Sequence, residues 1–533
     1  MKTKTKIENF LHPIYYIQQE TRLDYTTLDY TRLDCTTTQL IYTRYTSLLT
    51  TTYYYLLLLL TTTITVAFPM LFKSLLTYIS LVSTVLAIPA IEVQGNAFWN
   101  TETGKRFYIR GVDYQPGGSS ELEDPLADTK VCERDIPYFQ ELGINTIRVY
   151  SVDNTKDHDE CMDKLAEAGI YVILDVNTPH SSITRSNSEC SYNSDYLQEV
   201  FASAQMFAQY NNTLGFFAGN EVINDGASLD SAPYVKAVVR DLKTFIKNRG
   251  FRTIPVGYSA ASVDEYRLAS GLYFNCGDDE MARIDMYGIN DYSWCGDASM
   301  TTSQYSQQMK DFKNFTVPLF FSEFGCNAKK PRPFTEIEAI YSTDMSSVFS
   351  GGLVYEYSEE DNEYGLVKLG DDDDDDDVTP NQDFKNLKNE FNKTENPSGD
   401  GGASKDLTGG NNCPSKSSLW NVTEEIPDTP GGAIKYLKGV AEPTGHGFDA
   451  YVQGNCHGNN DVDDSGNYTS SVGASTRDAS ATSSSAQLSS GSSSSSSGST
   501  SSGSKENQGV VAATTSVTGV VGLLALIAGF VVV

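Results

Sequence analysis

Basic residues are scarce in this sequence. It has 39 Lys and Arg against 69 Asp and Glu in 533 residues, which gives a formal net charge of −30. A nucleic-acid partner would require a basic face, so this composition argues against one. Seven of the acidic residues form a single run, Asp371–Asp377. We interpret that run as a solvated loop whose charges repel one another. A calcium site is the alternative, but the run lacks the spacing of an EF-hand.

Patterns that bind metals are also missing. The chain has no CxxC pair, and none of its five His residues lies in an HExxH pattern. A zinc ribbon and a zinc hydrolase therefore have little support, and we expect neither a metal nor a cofactor. Of the nine cysteines, only Cys35 lies near the N-terminus. The other eight form an even set, which is typical of a secreted, oxidised protein.

A secretory signal lies in an unusual place. Residues 70–90, MLFKSLLTYISLVSTVLAIPA, have an early Lys, an apolar centre and small residues at the end, as signal peptides do. Because this signal begins at Met70, we interpret residues 1–69 as a doubtful extension and a gene-model artefact. Two alternatives stay open: a long disordered extension, or a membrane anchor that includes residues 53–72.

The other end of the chain reads as an anchor signal. Residues 508–533 finish in the apolar run SVTGVVGLLALIAGFVVV, with no basic flank behind it. A stop-transfer helix usually has such a flank, so we predict a GPI signal that is removed, with the anchor on Asn507 or a small residue nearby. The Ser/Gly-rich residues 470–507 predict a glycosylated stalk. These features predict a protein of the secretory pathway, bound to the outer face of the cell membrane, with the cell wall as an alternative destination. Five N-x-S/T sequons fit the same compartment: Asn211, Asn314, Asn392, Asn421 and Asn467.

Strand-like and helix-like segments alternate in the middle of the chain. Helical spacing and a final Gly mark residues 232–250, and residues 135–143 and 159–169 read similarly. This alternation predicts an α/β protein with a parallel sheet, and eight units predict a (β/α)8 TIM barrel over residues 91–400. The eight strand candidates are residues 106–114, 145–151, 171–177, 214–221, 253–260, 285–291, 319–325 and 352–358.

Polar residues stand where the predicted strands end. TIM-barrel active sites form at the C-terminal ends of the strands, and Glu221 and Glu323 end the fourth and seventh, which face each other across the barrel. Two carboxylates that flank a sugar bond are the minimum equipment for glycoside cleavage. A single Glu at a strand end is usually a surface charge, but a matched pair on opposed strands favours catalysis. Other strand ends carry Asp113, Gln115, Tyr150, Asp175, Asn220, Tyr292, Tyr355 and Glu356. For Tyr355 or Tyr357 alone, barrel packing is an equal alternative.

Seven ordered segments resemble one enzyme family. The segments FYIRGVDYQPGG, NTIRVYSVD, AGIYVILDVNTP, FFAGNEVIND, DYSWCG, FFSEFGC and GGLVYEYSEEDNEYGLV are similar to those of the fungal β-1,3-glucanosyltransferases of glycoside hydrolase family 72. The resemblance covers residues 92–370 and continues more loosely to about 457. It implies a retaining two-step reaction between donor and acceptor chains of β-1,3-glucan, with Glu221 as acid/base and Glu323 as nucleophile. It also implies a sugar groove lined by Gln115, Tyr150, Asp175, Asn220, Tyr292, Tyr355 and Tyr364.

The resemblance also implies three disulfides: Cys132–Cys161, Cys276–Cys413 and Cys295–Cys326. Cys190 and Cys456 remain, and we predict that they pair, although spacing does not fix this connectivity. Some family members add a cysteine-dense glucan-binding module. Here we expect residues 401–469 to be a disulfide-tied extension without that module.

Two other functions are compatible with the same barrel. An endo-β-1,3-glucanase would accept water in place of a second glucan chain. A non-catalytic glucan-binding wall protein would keep the barrel but lose part of its catalytic set. The presence of Asn220, Glu221, Tyr292 and Glu323 argues against that second alternative.

Overall fold

The computed structural model describes residues 88–370 and 377–452, together with Tyr53. The predicted stalk and anchor signal lie outside the described residues, as do almost all of the N-terminal extension and the signal peptide. Within the described ranges, no helix combines the length and apolar character that a membrane crossing requires.

Three short strands precede the barrel and close its lower end. β1 (Ile91–Gln94), β2 (Ala97–Asn100) and β3 (Arg106–Phe107) form an antiparallel sheet. From this sheet, Ile91 and Phe98 pack against Phe217 and Phe320 in the barrel interior. The sequence prediction missed this sheet and treated residues 106–114 as one strand. The chain changes partners at Tyr108, because Phe107 pairs with β2 whereas Ile109 pairs with the last barrel strand.

The barrel consists of eight parallel strands, and β11 closes it against β4. Each strand lies within or overlaps one of the eight predicted segments, so the predicted (β/α)8 barrel is confirmed. Its interior is filled by apolar side chains near the lower end, which leaves the C-terminal ends for the polar residues. The strands are β4 (Ile109–Asp113), β5 (Thr146–Val149), β6 (Tyr171–Asp175), β7 (Thr213–Asn220), β8 (Val256–Ala261), β9 (Met286–Asp291), β10 (Leu319–Phe324) and β11 (Phe349–Val354).

Helices cover the outside of the barrel. Asp128 caps the start of the first helix, where its side chain accepts a hydrogen bond from the Lys130 amide at 2.8 Å. Gly143, with φ of 73°, caps the end of that helix. The helices are α1 (Thr129–Leu142), α2 (Asp159–Glu167), α3 (Ser188–Ser191), α4 (Ser194–Phe207), α5 (Ala232–Asn248), α6 (Arg267–Phe274), α7 (Tyr305–Asp311), α8 (Glu336–Ile340), α9 (Thr343–Ser346), α10 (Gln382–Lys393) and α11 (Ile434–Leu437).

A small hairpin flanks the acidic run. β12 (Val367–Leu369) and β13 (Val378–Pro380) pair antiparallel, and the Gly370 amide donates to the Asp377 carbonyl at 3.0 Å. Residues 371–376 of the run itself lie outside the described residues. The hairpin therefore places Gly370 and Asp377 beside each other.

The chain after α10 packs on the barrel with little regular structure. Cys276–Cys413 joins this segment to the loop after α6, while Cys132–Cys161 joins α1 to α2 and Cys295–Cys326 joins the loops after β9 and β10. The three pairings that the resemblance implied are thus present. Cys190 is also disulfide-bonded. Cys456, its predicted partner, lies outside the described residues, so that pairing stays a prediction.

Candidate active site

Glu323 lies near the end of β10 and is 7% exposed. Its carboxylate accepts three hydrogen bonds: from the Tyr150 hydroxyl at 2.8 Å, from Arg148 Nη1 at 3.2 Å and from the Tyr292 hydroxyl at 2.7 Å. Burial raises the pKa of Glu323 to about 7, and the nearby Glu221 adds to this, whereas Arg148 and the two tyrosines oppose it. The three donors thus favour the ionised form of a carboxylate that burial disfavours.

Arg148 organises the floor of the site. It lies inside β5 and is fully buried, and its Nε and Nη2 bind the two oxygens of Asp175 at 3.0 and 2.9 Å. Burial raises the pKa of Asp175, and Arg148 opposes that rise. The guanidinium also lies over the Tyr150 ring, 4.2 Å from its centroid. The sequence prediction missed Arg148, although a charged residue between the buried Ile147 and Val149 was a usable signal.

Glu221 occupies a different environment. It lies one residue beyond the end of β7, is partly exposed, and has φ of 49°, a left-handed conformation that is rare for a residue other than glycine. Its amide donates to the Ser259 carbonyl at 2.8 Å, and its carboxylate accepts from Asn290 Nδ2 at 2.9 Å. The same Asn290 amide donates to Asn220 at 3.0 Å, so one side chain positions both neighbours.

Asn290 is a second residue that the sequence prediction missed. Its Oδ1 accepts from the hydroxyls of Ser259 at 3.0 Å and Ser322 at 2.8 Å, which fixes the amide so that Nδ2 faces Asn220 and Glu221. Asn290 stands next to last in β9. Nothing in its sequence context distinguishes it from an ordinary strand-end Asn.

Three predicted tyrosines form one aromatic cluster. Tyr292 meets Tyr355 and Tyr364 edge to face, with ring centroids 6.1 and 5.5 Å apart, and Tyr355 meets Tyr364 at 5.4 Å. The Tyr355 hydroxyl is 3.1 Å from the Ser119 hydroxyl. By contrast, Tyr357 is fully buried and packs against Tyr114 and Phe139, which supports the packing alternative for that residue.

A cavity of about 440 Å³ is lined by Asn220 and Val222, the chain neighbours of Glu221, and by Tyr150, which donates to Glu323. Among the predicted sugar-binding residues, Tyr150, Asp175 and Asn220 line it, together with Pro179 and Ser182 from the loop after β6. The tyrosine cluster does not line this cavity, but Tyr292 touches Glu323. The predicted groove therefore has two parts, a polar cavity and an aromatic wall, with Glu323 in contact with both Tyr150 and Tyr292.

Gln115 has a supporting position. It is 1% exposed, its Oε1 accepts from the amides of Tyr150 and Ser151 at 3.1 Å each, and its Nε2 donates to the Glu123 carbonyl at 2.6 Å. Its amide is thus bound to backbone groups behind the site. This geometry favours a role in positioning Tyr150 over the sugar contact that the resemblance implied.

Two further carboxyls interact electrostatically with Glu323. Asp113 is fully buried, and neither of its oxygens has a hydrogen-bond partner among the described residues. Burial raises its pKa well above the usual range, and Arg148 opposes that rise. Burial also raises the pKa of Glu356 to about 7, while Asn362 donates to its carboxyl at 2.6 Å. Burial thus disfavours a negative charge on both groups.

One disulfide joins the loops that follow Tyr292 and Glu323. Cys295 comes three residues after Tyr292, and Cys326 comes three residues after Glu323. The bonded cysteines and the hydrogen-bonded pair are each 31 residues apart in sequence. The covalent bond therefore links the same two strand ends that the hydrogen bond links.

Comparison with known proteins identifies the family. The sequence model of the glucanosyltransferase family, glycoside hydrolase family 72, matches residues 80–395. The chain belongs to glycoside hydrolase family 72. It is 81% identical over 409 residues to the 1,3-beta-glucanosyltransferase PGA4 of Candida albicans, covering 76% of this chain and 90% of that one. It is 58% identical over 365 residues to GAS5 of Saccharomyces cerevisiae, covering 68% and 74% of the two chains.

Solved structures of this family agree with the fold. A crystal structure of Saccharomyces cerevisiae Gas2 has a TM-score of 0.60 and 44% identity, and covers 64% of this chain and 77% of that one. A mutant of that protein, solved with laminaritetraose and laminaripentaose, has a TM-score of 0.59 and 43% identity, and covers 64% and 75%. The family 72 resemblance that the seven segments indicated is confirmed.

Proposed function

We propose that this family 72 protein is a retaining 1,3-beta-glucanosyltransferase. It cleaves an internal bond of one β-1,3-glucan chain and transfers the new reducing end to a second chain, which elongates cell-wall glucan. The observation that carries the proposal is the pairing of two unlike carboxylates, one buried among three donors and one partly exposed, at the C-terminal ends of β7 and β10 in one barrel.

In the first step, a carboxylate oxygen of Glu323 attacks the anomeric carbon of the bound sugar. The bond from that carbon to the bridging oxygen breaks, and Glu221 gives its proton to this oxygen as the reducing-end fragment leaves. Arg148, Tyr150 and Tyr292 hold the Glu323 oxygens in place. The attacking carboxylate must be ionised, and these three donors stabilise the negative charge that burial disfavours.

In the second step, Glu221 removes the proton of a hydroxyl on the incoming glucan chain. That oxygen attacks the anomeric carbon, and the bond to Glu323 breaks, which restores both carboxyl groups. Two inversions at one carbon retain the β configuration. Every proton and bond is accounted for by the two glutamates and the two glucan chains.

The enzyme is a transferase if a sugar hydroxyl is the acceptor in the second step, and a hydrolase if water is the acceptor. Aromatic rings favour the apolar face of a sugar and disfavour water, and Tyr292, Tyr355 and Tyr364 form such a wall beside Glu323. We therefore place the acceptor chain against this wall and the donor chain in the cavity that Tyr150, Asp175 and Asn220 line.

The protein works at the cell surface in this proposal. The signal peptide at residues 70–90, the stalk at 470–507 and the anchor signal at 508–533, with the lipid on Asn507, would hold the catalytic domain near wall glucan. The oxidised cysteines support an extracellular setting.

A product-size profile tests the proposal. The secreted protein is incubated with a reducing-end-tagged β-1,3-gluco-oligosaccharide, and the tagged products are separated by length. Products longer than the substrate are expected. Tagged products that are only shorter would make the enzyme a hydrolase, and an unchanged substrate would overturn the catalytic role of both glutamates.

A further inference from the structure

The last described segment, residues 444–452, runs from the outer face of α4 to the loops that line the cavity. Gln198 on α4 donates to the Thr444 carbonyl at 2.7 Å, and two residues later the His446 amide donates to Glu199 at 2.9 Å. The His446 ring also contacts the Glu199 carboxylate. These residues lie in the first half of α4, which begins on the side of the barrel where the active site lies.

The segment then contacts the loop after β5. The Gly447 amide donates to Asn154 Oδ1 at 2.9 Å, and Asn154 Nδ2 donates to Glu199 at 3.2 Å. The approach is so close that a Cβ on Gly447, which has φ of 59°, would lie 2.0 Å from an Asp153 oxygen. Asp153 and Asn154 follow Tyr150 and Ser151, which line the cavity.

The segment ends on the loop after β6. The Val452 amide donates to the His180 carbonyl at 3.1 Å, and the Tyr451 ring packs against the His180 ring, with centroids 5.3 Å apart. His180 lies in a tight turn, which is closed by two backbone hydrogen bonds between Thr178 and Ser181. Thr178 and Pro179, its neighbours in this turn, line the cavity.

The segment also completes the hydrogen bonding of a buried charge. Glu199 is 5% exposed, and its carboxylate accepts from Asn154 on the barrel and from His446 on the segment. Without the segment, the carboxylate would lose both contacts from His446 and keep the contact from Asn154. The barrel therefore carries a site built to receive the segment.

We propose that residues 444–452 are a positioning strap for the glucan groove. They hold the loops after β5 and β6 from outside, within one to three residues of the cavity lining, and so set the affinity for glucan without touching the reacting atoms. This inference rests on the proposed function, because the ligand of the groove is taken to be β-1,3-glucan. It gives the C-terminal extension, which lacks a cysteine-dense module, a role in substrate binding.

The test uses the full chain with three single substitutions. Gly447→Val forces a side chain into the contact with Asp153, and His446→Ala removes the ring from Glu199 without adding bulk. The matched control is Glu442→Ala, which removes an ion pair with Arg249 at the far end of α5, away from the cavity loops. For each protein, kcat and KM are measured with reducing-end-tagged laminari-oligosaccharides, and the midpoint of thermal unfolding is recorded.

We expect Gly447→Val to raise KM about tenfold and His446→Ala two- to threefold, with kcat changed less than twofold. Glu442→Ala should match the wild type. If both strap variants lose thermal stability but keep the wild-type KM, the strap proposal is wrong. The proposed function is not affected by that result. A wild-type protein that does not alter the oligosaccharide would overturn the proposed function and the strap with it. If Gly447→Val is not secreted, the KM of His446→Ala decides the question.

Discussion

The two glutamates of the site differ in almost every physical respect. Glu323 lies within a strand, is nearly inaccessible to solvent and accepts from three donors. Glu221 lies just past its strand in a left-handed backbone conformation, is partly exposed and accepts from Asn290. A nucleophile must keep one charge state and one position, whereas an acid/base must exchange a proton with successive partners. The same side chain is thus adapted to two tasks by its surroundings.

The sharpest way to separate the two roles is to neutralise each glutamate. With a glucan donor, Glu323→Gln and Glu221→Gln should both lower the rate, the first by a factor on the order of 10⁴ or more and the second by about 10²–10⁴. With a glucosyl fluoride donor, whose leaving group needs no proton, Glu221→Gln should still release fluoride while Glu323→Gln should not. Fluoride release is measured with an ion-selective electrode. Fluoride release by Glu323→Gln at the wild-type rate would show that the assignment is wrong.

Removal of the buried cation should disturb the surroundings of Glu323 and leave those of Glu221 intact. Arg148→Met leaves the buried carboxylates of Asp175 and Glu323 without their counter-ion, which should lower the free energy of unfolding by about 3–5 kcal/mol. Urea denaturation at neutral pH measures the change. The exposed pair Lys329–Asp297 provides the control, since Lys329→Met should cost less than about 1 kcal/mol. Equal losses in the two variants would contradict the role of burial.

The hydrogen bond from the Tyr292 hydroxyl should lower the pKa of Glu323. Tyr292 stabilises the charged carboxylate, so Tyr292→Phe should raise the pKa of Glu323 further. Activity requires ionised Glu323 and falls as the pH drops through this pKa, so the acid limb of kcat/KM should move to higher pH, by about one unit. Tyr305→Phe is the control, because the buried Tyr305 hydroxyl has no hydrogen-bond partner in the described part of the chain. An acid limb that stays in place in Tyr292→Phe would exclude this tuning.

The smallest expected effect concerns the surroundings of Glu221. Asn290→Ala removes the amide that orients both Asn220 and Glu221, and it should lower kcat about three- to tenfold while the acid limb stays where it is. Steady-state kinetics across the pH range measures both quantities. A displaced acid limb would mean that Asn290 acts on Glu323, and the two environments would not be separable.

The sequence predicted the barrel well because each strand is an apolar run with turn or helix signals on both sides. The sheet β1–β3 was missed because its strands are two to four residues long and their pairing is decided by contacts with the barrel interior. Both glutamates were found because a carboxylate that ends a buried strand is conspicuous. Arg148 and Gln115 show the limit: one charge inside a strand was overlooked, and one strand-end amide proved to be bound to backbone. The Arg148 charge could have been recognised in the sequence, whereas the backbone contacts of the Gln115 amide are visible only in three dimensions.

The disulfide between Cys295 and Cys326 has a consequence for folding. It joins the loops after β9 and β10, and the same two strand ends carry Tyr292 and Glu323. Oxidation of these two cysteines would therefore hold the two strand ends side by side in a partly unfolded chain. The covalent bond would thus protect the arrangement on which the proposed chemistry depends.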